Sequence, residues 1–97
     1  MRKGIFLIEK LGEPIEVQSQ KTEDGKLAKR VVVFREMGER YGDCIVASVL
    51  GRMAQEEVLK EEDVVIASIR LSVHEHNGQM YQDAVVSGIN ILCAAGE

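Results

Sequence analysis

Lys26, Lys29, Arg30, Phe34, Arg35, Arg40, Tyr41, Arg70, His74 and Tyr81 are the side chains of this sequence best suited to chemistry at a surface. They are cations and flat rings rather than nucleophiles. Single-stranded nucleic acid is bound by this combination: cations track the phosphates, and aromatic faces stack bases at roughly 1–3 kcal/mol each. In the run Leu27–Glu36, strand alternation sends Lys29, Val31, Val33 and Arg35 to one side and Arg30, Val32 and Phe34 to the other. If Val32 and Phe34 are core, Lys29 and Arg35 face a groove; in the opposite register, Arg30 and Phe34 do. Arg40 and Tyr41 fall in a connection, where one could pair a phosphate and the other stack a base. Further along, Arg70, Ser72, His74 and His76 share one face of a strand, opposite Ile69, Leu71 and Val73, which are expected in the core. Tyr81, close to the Asn77-Gly78 turn, could stack a base or cover the barrel rim. His74 and His76 also have a spacing compatible with a metal, but no Cys, Asp or Glu cluster completes the ligand set, and no cofactor is expected.

Catalysis is not expected either. The chain has no Ser-His-Asp or Cys-His arrangement in recognisable context, no phosphate-binding glycine loop, and no HExxH or paired-carboxylate motif. The two cysteines, Cys44 and Cys93, are far apart and lack CxxC spacing, so they read as buried free thiols.

The elements that must position these residues come from a chain of 97 residues, enough for one domain spanning 1–97. Its 45% hydrophobic and 29% charged content is that of a globular protein. Aromatics amount to Phe6, Phe34, Tyr41 and Tyr81, so the core must be made of Val, Ile and Leu, which favours sheet. The longest apolar runs, at 4–8 and 31–34, are far short of the roughly 20 residues of a membrane span. The N-terminus lacks the features of a secretory signal, and a cytoplasmic protein without membrane contact is expected. The net charge of −4 disfavours a polyanion partner, yet it is unevenly spread. Between 21 and 40, Lys21, Lys26, Lys29, Arg30, Arg35 and Arg40 outnumber Glu23, Asp24, Glu36 and Glu39. Between 51 and 63, Arg52 and Lys60 are outnumbered by Glu56, Glu57, Glu61, Glu62 and Asp63. A local cationic trough is compatible with an acidic total.

The pattern along the chain is a strand over 4–9 continuing past a kink at Pro14 to residue 20, a turn at Asp24-Gly25, and a second strand over 27–36. A third strand follows over 44–50. Met53, Ala54 and Val58 recur at helical spacing within 52–62. Strands over 63–73 and 80–92 flank Asn77-Gly78, the strongest hairpin signal present. Three strands, one short helix, then two strands is the order of a five-stranded OB-fold, a Greek-key barrel with its helix between strands three and four. A β-sandwich or roll is the alternative on pattern alone.

The stretches that produce this order also resemble bacterial single-stranded-DNA-binding proteins. Gly4-Ile-Phe-Leu-Ile-Glu-Lys-Leu-Gly-Glu-Pro-Ile-Glu-Val17 is similar to that family's first strand. Ile45-Val-Ala-Ser-Val-Leu-Gly-Arg-Met-Ala54, followed by 58–66, is similar to its third strand, glycine turn, helix and return strand. Asn77-Gly-Gln-Met-Tyr-Gln-Asp-Ala-Val-Val86 is similar to its last hairpin. Small uncharacterised bacterial domains related to the family share the arrangement. The resemblance implies an OB-fold that binds single-stranded DNA without sequence specificity, protecting exposed strands in replication, recombination or repair, and assembles as a dimer or tetramer. Two departures stand out: Val31, Val33, Leu50, Leu71 and His74 occupy regions where the family carries aromatics, and Leu92-Cys-Ala-Ala-Gly-Glu97 is not the family's acidic tail. An OB-like structural or protein-interaction module is the alternative function.

Overall fold

The computed structural model describes residues 2–18, 23–38, 42–55 and 58–94. Six strands and one helical turn follow each other as β1 (Arg2–Leu11), β2 (Ile15–Gln18), β3 (Lys26–Glu36), β4 (Cys44–Leu50), α1 (Arg52–Gln55), β5 (Val64–His76) and β6 (Gln79–Cys93). The first expected strand is thus two pieces. Pro14 has no N–H for a ladder, and the break is held against β3 where Gly12 N–H donates to the Val31 carbonyl at 2.8 Å. Both pieces run antiparallel along β3, β1 through Phe6–Leu11 and β2 through Ile15–Gln18.

One sheet closes on itself. β1 pairs with β3 and, through Arg2–Leu7, with β5; β3 pairs with β4 and β5 with β6. β4 and β6 meet in parallel at one residue pair, Ser48 and Val85. Counting β1 and β2 as one strand, this is the OB-fold Greek-key order in a barrel-like sheet, with the short helix after the third strand.

The core is lined by alternate residues: Phe6 and Ile8 from β1, Ala28, Val32 and Phe34 from β3, Ala47 and Val49 from β4, Val65, Ala67 and Ile69 from β5, and Val86 from β6. Phe6 and Phe34 meet edge to face, with centroids 5.7 Å apart and planes at 62°, an arrangement their ring quadrupoles favour. Ala54 and Leu59 are also buried in this core.

The helix is shorter than its periodicity predicts. It spans Arg52–Gln55, and residues 58–63 are turn or irregular. Backbone bonds to β1 compete with helical ones: Glu62 N–H donates to the Ile8 carbonyl at 2.7 Å, and Ile8 N–H to the Asp63 carbonyl at 2.8 Å. The Asp63 carboxylate, buried at 1% exposure, accepts from Lys60 N–H at 2.9 Å. Pairing with the sheet satisfies these backbone groups, so helix propensity in this segment is overridden. No helix among the described residues is long and apolar enough to cross a membrane.

The last hairpin is longer than expected. Asn77 and Gly78 both take positive φ, 53° and 78°, as a type I′ turn requires. Because burial in β5 stops at Ile69, the arms beyond it project from the barrel. Leu71 and Val73, expected in the core, are instead exposed on this projection. Cys44 and Cys93, expected to be buried, are exposed free thiols at a strand start and a strand end.

Candidate nucleic-acid interface

With Val32 and Phe34 packed inside, alternation leaves Lys29 and Val31 on the outer face of β3. Val46, Ser48 and Leu50 continue that face on β4, since Ala47 and Val49 point inward. The single bridge between β4 and β6 lets the projecting hairpin diverge from β4. A groove of about 630 Å³ results, with Val17 and Leu27 at one end and Ser72, Asp83 and Val85 at the other.

Among the described residues, Lys29 and Asp83 are the charged ones that line the groove. Among the described residues the basic side chains of β3 do not gather on this groove, because they are distributed over different faces. Arg30 lies on the inward-facing side, half-buried, and its Nε donates to the Gly12 carbonyl at 2.6 Å, bracing the break between β1 and β2. Phe34 is a fully buried core ring and offers no stacking face. Lys26 is exposed at the start of β3, beside the Asp24-Gly25 turn. Arg40 and Tyr41 lie outside the described residues.

Arg35 faces outward but is engaged by Glu9, the extra residue of a bulge in β1, at 2.6 Å. Glu9 also accepts from the Cys44 thiol at 3.2 Å. The Arg35 hydrogen bond, and then that of Cys44, hold the Glu9 carboxyl below the usual glutamate range. The same bond to the carboxylate pushes the Cys44 thiol upward, away from thiolate. A depressed folded-state value means that the stabilisation from Glu9 is present above the ordinary carboxylate range and is lost as pH falls through its lowered midpoint. In an NMR titration of the side-chain carboxyls, Glu9 is expected to titrate below the ordinary glutamate value, and Arg35→Gln to move its midpoint upward. An unchanged midpoint in that variant would remove the guanidinium as the main cause.

The aromatic part of the site is on the hairpin. A two-residue turn at 77–78 pairs His74 with Tyr81 and Ser72 with Asp83 on the outward face. The His74 and Tyr81 rings are stacked at 5.4 Å and 20°. His74 Nδ1 is 2.8 Å from Asp83 Oδ2, and Tyr81 O–H donates to Gln79 Oε1 at 2.6 Å. Tyr81 therefore stands on the projecting arm, 43% exposed, rather than over the barrel rim. Arg70 is exposed on the same face, opposite Val85. No group of three or more His, Cys, Asp or Glu residues converges among the described residues.

The structure thus sets Lys29 in the groove, places His74 and Tyr81 further out on the hairpin face that carries the lining pair Ser72 and Asp83, and assigns Arg30, Phe34 and Arg35 to packing or intramolecular pairing. Asp83, Val46 and Ser48 are groove residues that the sequence reading missed. Asp83 was accessible from sequence, because the Asn77-Gly78 turn fixes which residues oppose each other across the hairpin. Val46 and Ser48 were not, since their exposure to a groove depends on the divergence of β4 from β6. Comparison with protein-family models and with curated proteins finds no match for this chain.

Proposed function

We propose that this chain binds single-stranded DNA across the outer face of β3 and β4, sheltering exposed strands in the cytoplasm during replication, recombination or repair. The observation that carries the reading is the open groove between β3–β4 and a projecting hairpin whose outward face bears a stacked His74–Tyr81 pair. Exposed ring faces suit base stacking, and Lys29 supplies a phosphate partner. With Lys29 the one cation that lines the groove among the described residues, stacking supplies more of the affinity in this reading than counterion release, which for single strands contributes a slope of about −0.7 per neutralised phosphate.

Fluorescence anisotropy with a labelled mixed-sequence strand of about 20 nucleotides tests this, an OB-fold occupying roughly 4–16. Binding is expected at about 50 mM salt and should weaken only modestly by about 200 mM. Tyr81→Ala should lower affinity about five- to a hundredfold, the equivalent of one lost stack, and Lys29→Glu should lower it further at the lower salt. Absence of binding by the folded protein at low salt would reject the reading.

A second reading has its own observation. Leu71, Val73 and Met80 share the hairpin's other face and are 40%, 65% and 70% exposed. Exposed apolar groups clustered in this way favour self-association, which would make the hairpin an interaction surface and the protein a homodimer or homotetramer. Light scattering over a concentration series distinguishes it: a mass that stays at the monomer value rejects it.

A further inference from the structure

We propose that Asp83 makes this groove read base edges and discriminate against thymine, an inference that rests on the groove being the single-stranded-DNA interface. Three observations converge on that carboxylate. First, it lines the groove, where Lys29 is the other charged residue among those described. A carboxylate repels phosphate, so a favourable contact from it to a bound strand is made with a hydrogen-bond donor of a base. Second, His74 Nδ1 takes Asp83 Oδ2 at 2.8 Å, which orients the carboxylate and leaves Oδ1 to accept a hydrogen bond. Third, Asp83 is two residues from Tyr81 on the same outward face. Two residues along a strand span about 6.8 Å, comparable to half the width of a base plus one hydrogen bond. A base stacked on the His74–Tyr81 pair can therefore present its edge to Oδ1.

An ionised carboxylate only accepts hydrogen bonds. Cytosine and adenine each carry an exocyclic amine, N4–H₂ and N6–H₂, and guanine carries N2–H₂. Thymine carries none: its edge has carbonyl oxygens at O4 and O2 on either side of one N–H, and these face a carboxylate unfavourably. The even balance of Lys29 and Asp83 among the described lining residues reinforces the effect, since weak phosphate attraction leaves base-edge differences a larger share of the total affinity.

The test compares oligo-dC with oligo-dT of equal length at about pH 8, well above the ordinary pKa of a free carboxyl. Both bases are single-ring pyrimidines, so the comparison isolates the edge from the stacking area. The wild type should bind oligo-dC about five- to tenfold more tightly, the low end of what a specific base contact supplies. Asp83→Asn, whose amide offers both a donor and an acceptor, should bring the ratio to near one or invert it, while Asp83→Glu should retain its sense. Asp83 is exposed, and a thermal melt checks that the variants remain folded. Equal affinities in the wild type, or a cytosine preference that survives Asp83→Asn, would overturn the inference while leaving the interface in place. Binding of neither oligonucleotide would remove the interface and the inference with it.

Discussion

Phe34→Ala is expected to destabilise the protein by about 3–5 kcal/mol, the range for deleting a buried phenylalanine ring. Phe34 is among the largest fully buried side chains and lies edge to face with Phe6 at 5.7 Å. The void would open where β1 and β3 pair, with Ile8 directly opposite Phe34 in the ladder. Against a total stability of about 5–15 kcal/mol for an ordinary domain, this is a large share. The melting temperature should fall by about 12–40 °C, at roughly 4–8 °C per kcal/mol for a chain of this size. Differential scanning calorimetry measures it. Phe34→Leu, which keeps most of the volume, should remain folded and, under the proposed function, leave oligonucleotide affinity at the wild-type value, because the ring points away from the groove. A folded Phe34→Leu protein with impaired binding would contradict the inward placement of that ring.

Asp63→Ala should cost about 1–3 kcal/mol, the penalty for stranding a buried hydrogen-bond partner. The carboxylate accepts from Lys60 N–H at 2.9 Å in the segment joining α1 to β5. On each side of it, the Asp63 carbonyl and Glu62 N–H bond to the Ile8 backbone. Removing the side chain deprives the Lys60 N–H of that acceptor where the chain turns onto the sheet. Urea denaturation should show a lower midpoint with an unchanged slope, and hydrogen exchange should show the Lys60 amide losing protection. Asp63→Asn keeps an acceptor oxygen and should recover part of the loss. A midpoint equal to that of the wild type in Asp63→Ala would show that backbone pairing alone holds the segment.

These two residues illustrate different degrees of legibility. Phe34 was visible as one of two alternatives: alternation separates it from Arg35, but a strand with Val on both faces does not declare which face is inward. The answer came from β1 and β4, whose buried Ile8 and Ala47 meet the face carrying Val32 and Phe34. Glu62 read as the last residue of an acidic helix, because Glu and Lys are strong helix formers, and Asp63 as the first of the next strand. Ile8 alongside, with its own N–H and carbonyl to satisfy, draws residue 62 out of the helix and bonds to 63 as well.

Local patterns determined the strands, the turns at Asp24-Gly25 and Asn77-Gly78 and the position of the helix between the third and fourth strands, because period-two alternation and positive-φ turn residues act over a few neighbouring residues. Tertiary structure decided the rest. The inward face of β3, the withdrawal of Arg30 and Arg35 into internal bonds, the projection of residues 70–83 and the lining of the groove all depend on which distant strands meet. Charge counted along a segment says how many cations it contains. Whether they share a groove is set by the pairing partner of each strand, and here one of them faces inward and another is held by a bulge residue of β1.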